Sequence, residues 1–483
     1  MSLIDICDVS YIYPRSEKYA LENINVSIEE GEFFAVMGEN GAGKTTFCKL
    51  INGIIPHLSG GCLTGNVIVG GINTINTTVP QMAEKTGMVF DDPDAQLFTS
   101  SVRHEAAFGP ENLLLPPGEI IERVNFALCA AGLSGFEERI PSTLSGGEKQ
   151  RLSIAAALAM KSRILVLDEP LCRLDPDGVR ETLAVLDDIK KKFQVTIIMA
   201  AHNSREILEY ADRVCVLNNG KIAAIDTAEN IFADNELLEQ NGIQPVSKTA
   251  KDMNNKKNFE IKANAMRSSA VNIENFCFNY KNGVSIKNVN LSIKENDFIA
   301  LTGRNGCGKT TLLKNITGLL RPSSGEIYIR GKNAKDLKVC DISKEIGFVM
   351  QNPDTQLFTD SVYKEVSFAL KNLKLPKAQI RSRAGEALKT AELNDYNAFP
   401  QALSRADRTK LAIACVLAMG CKIIILDEID AGLDYKDCMR IMNILTGLHS
   451  RGFTIIFVTH NIFLAREYAE KIINMSGGDK GYL

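Results

Sequence analysis

The sequence predicts an α/β chain made of two copies of one domain, and three observations predict it. The first is an apolar run, Phe33 to Met37, that reads as a buried strand. It leads into Gly38-Glu39-Asn40-Gly41-Ala42-Gly43-Lys44-Thr45-Thr46 and then into a helical pattern. The second is the return of that stretch, where Phe298 to Thr302 leads into Gly303-Arg304-Asn305-Gly306-Cys307-Gly308-Lys309-Thr310-Thr311. The third is a further apolar run in each copy that ends in an acidic pair: Ile164 to Leu167 before Asp168-Glu169, and Ile423 to Leu426 before Asp427-Glu428.

Each element has a chemical reading. A strand, a G-x-x-x-x-G-K-T loop and a helix form the phosphate loop in the setting that makes the motif specific. Its glycines let successive backbone N–H groups converge on one anion, and the helix adds its positive end. Lys44 and Lys309 are placed to reach the β- and γ-phosphates of ATP, and the hydroxyls of Thr45 and Thr310 to hold Mg²⁺. The acidic pairs stand at the carboxyl end of a buried strand, the edge of an open α/β sheet where ligands bind. There Asp168 and Asp427 would hold Mg²⁺ through water, while Glu169 and Glu428 would polarise the attacking water. Before each phosphate loop, residues 3 to 36 and 271 to 301 alternate short β-rich runs with turns.

Composition narrows the class. The chain has 483 residues, enough for two or three domains, and its net charge of −3 gives no global pull toward nucleic acid. No apolar run approaches the ~18 to 20 residues that a membrane span needs. The N-terminus has neither a basic n-region nor an apolar signal core. Twelve cysteines are scattered without C-x-x-C pairs; Cys48, Cys129 and Cys415 fall in apolar helical patterns and read as reduced core thiols of a cytosolic protein.

The copies align with little drift: Tyr13 and Tyr280 are 267 apart, His202 and His460 are 258 apart. The expected organisation is a first domain over 1–243, a polar linker over 244–269 and a second domain over 270–483. The linker is rich in Lys and Asn. As a flexible run it would span roughly 30 Å.

Leu-Ser-Gly-Gly-Glu-Lys-Gln-Arg, residues 144 to 151, precedes a helical run. Ser145, Gly146 and Gly147 thus offer small residues and free N–H groups at a helix start, a second anion site. With this signature the chain resembles a tandem pair of ABC-type nucleotide-binding domains over everything but the linker. The resemblance implies P-loop NTPase domains, each with a mixed sheet core, an antiparallel β subdomain and a helical subdomain. It implies head-to-tail pairing, with each ATP between the phosphate loop of one domain and the signature of the other. It further matches His202 and His460 to the histidine that senses the γ-phosphate, and Tyr13 and Tyr280 to the aromatic that stacks on adenine. Asp175 and Asp434 match the loop that crosses between domains, and Gln351 matches a glutamine that helps hold Mg²⁺.

A finer resemblance lies in Asp91-Asp92-Pro93-Asp94-Ala95-Gln96-Leu97-Phe98 and Gln351-Asn352-Pro353-Asp354-Thr355-Gln356-Leu357-Phe358. These runs are similar to those of ATPases of energy-coupling-factor (ECF) importers for vitamins and for cobalt or nickel. The resemblance implies a transmembrane coupling subunit and a substrate-binding membrane subunit as partners, no nucleic acid, and a peripheral place on the cytoplasmic face of the cell membrane. It implies a docking groove near these loops, with Leu97, Phe98, Leu357 and Phe358 as an apolar lip. The alternative from another class is a soluble ABC ATPase acting on ribosomes or DNA.

The copies depart from the pattern in two places. The second signature reads Leu403-Ser404-Arg405-Ala406-Asp407-Arg408, without either glycine, and the first copy carries Asp91 where the second keeps Gln351. With head-to-tail pairing both defects fall in one site. The expectation is therefore that the site using residues 303 to 310, Glu428 and His460 against the intact Ser145 to Glu148 hydrolyses ATP, while the site using residues 38 to 45, Glu169 and His202 mainly binds it.

Overall fold

The computed structural model describes residues 2–172, 174–202, 204–246, 267–280 and 285–475. They form two compact units, one from each half of the chain. Most of the expected linker, 247–266, and the end of the second expected domain, 476–483, lie outside the described residues.

The first unit is built on a six-stranded sheet in the order Lys221–Thr227, Arg213–Asn218, Phe33–Gly38, Thr196–Ala201, Ile164–Asp168, Thr86–Val89. All neighbours run parallel except the first pair, which is antiparallel, so the sheet is mixed. Phe33–Gly38 is buried along its whole length, which explains its unbroken apolar run: both faces are covered. Phe33, Ala35 and Met37 face a helical layer, whereas Phe34 and Val36 face a second, antiparallel sheet. That sheet has the order Tyr19–Glu29, Ser2–Ile12, Cys62–Val69, Ile72–Asn73. The helical layer includes Val102–Asn112, Pro117–Ala130 and Gly146–Ala159. Pro176–Phe193 is amphipathic, burying Val179, Leu183, Leu186 and Ile189. Lys190, Lys191 and Lys192 sit at its C-terminal end, where the helix dipole favours cations.

The second unit repeats this plan. Its central strands, in the order Ile346–Val349, Ile423–Leu426, Thr454–Val458, Phe298–Thr302, Lys471–Asn474, are all parallel among the described residues. The antiparallel strand Lys221–Thr227 of the first unit follows a tight turn at Asn219 and Gly220; the matching stretch of the second lies beyond residue 475. Its antiparallel sheet has the order Ser285–Lys294, Ser269–Asn279, Ser324–Ile329, Lys332–Asn333. Val362–Asn372, Lys377–Thr390 and Arg405–Met419 close on a core of their own, with Val362, Val366, Leu370, Leu388 and Leu411.

Candidate functional site

In both units the loop after the central strand is shaped by backbone that side chains would obstruct. Gly38, Gly41 and Gly43 have φ of 147°, 79° and 110°; Gly303, Gly306 and Gly308 have 144°, 76° and 102°. A β-carbon on Gly38 would strike the carbonyl of Leu217, and one on Gly43 would lie 2.7 Å from the carbonyl of Ala20. Glu39, Asn40 and Ala42, and Arg304, Asn305 and Cys307, form the rest of the two loops. The helices Lys44–Ile51 and Lys309–Ile316 begin at the lysines, so their first N–H groups point into the loop. Lys44 Nζ donates to the carbonyls of Gly38 and Glu39 at 3.0 Å each; Lys309 Nζ donates to those of Gly303 and Arg304 at 2.8 and 2.9 Å. Burial lowers the pKa of Lys44, and the neighbouring Glu169 works against that shift.

The acidic pairs arrive beside these loops. Thr45 Oγ1 donates to Asp168 Oδ1 at 3.0 Å, and Thr310 Oγ1 to Asp427 Oδ1 at 3.2 Å. Burial pushes both Asp168 and Asp427 up to about 6, against the pull of the threonine hydroxyls. Glu169 and Glu428 have φ of 49° and 46°, a left-handed conformation that non-glycine residues rarely adopt. Glu169 is held down at about 2: burial pushes it up, but His202 and Lys44 outweigh that. His202 Nε2 lies 2.7 Å from Glu169 Oε1. In the second unit His460 Nε2 makes an aligned hydrogen bond to Glu428 Oε1 at 3.2 Å, and Gln351 Nε2 donates to the other oxygen of Glu428.

The tyrosines are matched as well. Tyr13 and Tyr280 hydrogen-bond the hydroxyls of Thr46 and Thr311 at 3.2 and 3.0 Å. Each packs edge-on against a second ring, Tyr11 and Phe278, at 4.8 Å.

The signatures differ in structure as in sequence. Ser145 caps Gly146–Ala159 in a capping box with Glu148, leaving Gly146 and Gly147 at the helix start. Ser404 caps Arg405–Met419 by accepting from the Asp407 N–H, and Lys410 pairs with Asp407 at 2.7 Å. The Arg405 guanidinium lies against Gly432, within contact of where a β-carbon would stand. Each helix is tied to the Pro-Asp run of its own unit by one ion pair of 2.6 Å, Lys149 with Asp94 and Arg408 with Asp354.

Those runs form braced loops. Gln96 accepts from Phe90 N at 3.1 Å and donates to Met88 O at 3.2 Å; Gln356 does the same with Met350 N and Phe348 O, both at 2.9 Å. The buried carboxylates of Glu105 and Glu365 accept the N–H groups of Phe98 and Thr99, and of Phe358 and Thr359. The tips present Phe98 and Phe358, 67% and 63% exposed, in edge-to-face pairs with Phe108 and Phe368 at 4.9 and 4.8 Å.

Two expectations need correction. Leu357 is buried in a helical core and Leu97 packs against one, so the exposed lip consists of phenylalanines alone. Phe108 and Phe368 were missed; they sit on helices ten residues after Phe98 and Phe358, and their exposure breaks an otherwise amphipathic pattern. Cys129 is exposed on Pro117–Ala130, so it is no core thiol, and Cys415 is only partly buried. Among the described residues no cluster of three or more His, Cys, Asp or Glu could hold a metal ion, and no helix is long and apolar enough to cross a membrane.

Two phosphate loops, each joined by a Thr–Asp and a Glu–His pair on the carboxyl edge of a sheet, define an ATP-hydrolysing α/β protein. The model of the ABC transporter family matches residues 21–172 and 286–431, and the chain belongs to the ATP-binding proteins of that family. It is 36% identical to an ABC transporter ATP-binding protein of inferred role from Methanosarcina mazei, over 99% of this chain and 88% of that one. It is 35% identical to another from Caldanaerobacter subterraneus subsp. tengcongensis, over 98% and 90%. Among solved structures it is similar to cbiO1 from Clostridium perfringens, described as part of the ABC transporter complex cbiONQ. That match has 33% identity, covers 50% of this chain and 94% of the other, and has a TM-score of 0.45.

Proposed function

We propose that the chain is the energy-coupling ATPase of an ECF-type importer for a vitamin or a transition-metal ion, with nucleotide-binding domains at 1–243 and 270–483 joined by 244–269. It works with a transmembrane coupling subunit and a substrate-binding membrane subunit at the cytoplasmic face of the membrane. The observation that carries this reading is the pair of matched loops, each ending in an exposed phenylalanine pair on a backbone clamped by Gln96 and Glu105 or by Gln356 and Glu365. Exposed aromatic pairs on a rigid base suit burial against another protein.

In this reading ATP lies on residues 38–46 and 303–311, its adenine on Tyr13 or Tyr280. Lys44 and Lys309 hold the β- and γ-phosphates. Mg²⁺ fits beside Thr45 and Asp168, and beside Thr310, Asp427 and Gln351. The donors there are hard oxygens, and a carboxyl that burial drives to about 6 is short of positive charge. When bound, the ion neutralises charge developing on the phosphates. Glu428 accepts a proton from the attacking water, and His460 holds Glu428 and senses the γ-phosphate; Glu169 and His202 are their counterparts. Ser145, Gly146 and Gly147 complete the site of the second phosphate loop through head-to-tail pairing. The site completed by Ser404 and Arg405 mainly binds ATP.

The test is co-purification from detergent-solubilised membranes of cells that express the neighbouring membrane genes. The wild-type chain is expected in the membrane complex. Phe358→Asp is expected to lose capture while keeping ATP binding, since it would bury an unpaired charge at a cost of several kcal/mol. A chain that sediments with ribosomes, with a Phe358→Asp variant that behaves like wild type, would overturn the importer reading.

A further inference from the structure

The two units differ inside the acid–histidine group itself. Two residues after the glutamate stands Asp430 in the second unit and Leu171 in the first; immediately before the histidine stands Thr459 in the second and Ala201 in the first. Thr459 is fully buried. Its hydroxyl donates to Asp430 Oδ2 at 2.6 Å and accepts from the Asn461 N–H at 2.9 Å. Both neighbours of His460 are therefore held through one oxygen. The far end of that tie is itself fixed, because the loop turns twice, with Ala431 N on Glu428 O and Leu433 N on Asp430 O, both at 3.2 Å. On its other side the Arg405 guanidinium lies against Gly432. Burial pushes the Asp430 carboxyl up and the Thr459 hydroxyl pulls it down, as expected of a carboxyl enclosed with one strong donor.

The tie stands directly beside the contact between acid and histidine. His460 reaches Glu428 along an aligned hydrogen bond. Leu171 and Ala201 offer no such tie; there His202 Nε2 stands 2.7 Å from Glu169 Oε1. We propose that Asp430 is a positioning residue: through Thr459 it fixes the turn that presents His460 to Glu428, and so gives the second copy a histidine set for catalysis. This rests on the reading that Glu428 and His460 carry turnover.

The test uses the full chain, with steady-state ATPase rates normalised to active sites counted by labelled-ATP binding, and thermal melts beside them. Asp430→Leu and Thr459→Ala are each expected to lower kcat about tenfold, with KM for ATP within about twofold, since a displaced group slows chemistry more than binding. The double variant, which recreates the Leu171 and Ala201 pairing, is expected to be no slower than either single, because both remove the same bond. Asp430→Asn, whose amide oxygen still accepts from Thr459, and Thr459→Ser are expected to recover most of the loss. A purely structural role would lower the melting temperature without moving kcat per active site. An unchanged kcat in the double variant, or losses that add, overturns the positioning role while the site assignment stands. Hydrolysis that survives Glu428→Gln overturns the site assignment and the positioning role with it.

Discussion

Lys44 carries its charge into a cradle that excludes most water, and two backbone carbonyls and Glu169 take the place of that water. The arrangement suits a group that must meet phosphates: the ammonium is held in position before ligand arrives, so little ordering remains to be done on binding. The same burial governs the thiols. Cys215 is pushed up to about 12 and Cys421 to about 11 by removal from water. Their folded values lie above the ordinary 9.0, so the stability they contribute is fully present below about pH 9 and is lost as pH rises toward the folded values. At pH 8, a thiol reagent followed by peptide mapping should label the exposed Cys7, Cys62, Cys129 and Cys340 quickly. It should leave Cys48, Cys215, Cys421 and Cys438 untouched until the chain is unfolded. Rapid labelling of Cys215 in the native protein would contradict this.

At the scale of elements, the signature helix of each unit closes flat on an edge strand, and a glycine makes that approach possible. A β-carbon on Gly87 would come within 2.9 Å of Ala157 Cβ, and one on Gly347 would overlap the side chain of Val416. Gly347→Ala should therefore destabilise the chain by about 1–3 kcal/mol through overpacking. Val416→Ala in the same chain should return much of that. Urea denaturation reads both effects, and an unmoved midpoint for Gly347→Ala would refute the packing argument. The sequence showed the strand, the loop and the helix that build each phosphate loop, because their patterns are local. It did not show that Leu357 turns inward while Phe358 beside it stays exposed. That choice depends on the helix Val362–Asn372 lying beneath the loop, a contact set by tertiary packing. The clamps made by Gln96, Glu105, Gln356 and Glu365 were equally hidden: each motif residue was visible, but its backbone partners were not.

At the scale of the whole molecule, the two units are alike in their phosphate loops, acid pairs and tyrosines, and unlike in four places around the site. The first unit has Asp91, Leu171 and Ala201 where the second has Gln351, Asp430 and Thr459; the second has lost the signature glycines that the first retains. In the second unit both carboxylate oxygens of Glu428 are engaged, one by Gln351 and one by His460. The small, N–H-rich helix start that can face a phosphate belongs to the first, at Ser145 to Gly147. The proposed function assigns these intact halves to one working site and Glu169 to the other. Removing the proposed general base then tests the asymmetry. Glu428→Gln should lower steady-state ATP hydrolysis by about 10² to 10⁴-fold while ATP still binds. Glu169→Gln should cost less than about tenfold, because the site it serves contributes little turnover. Labelled-ATP binding should count two occupied sites in both variants. Equal losses from the two substitutions would show that both sites turn over, and would remove the functional meaning assigned to the missing glycines.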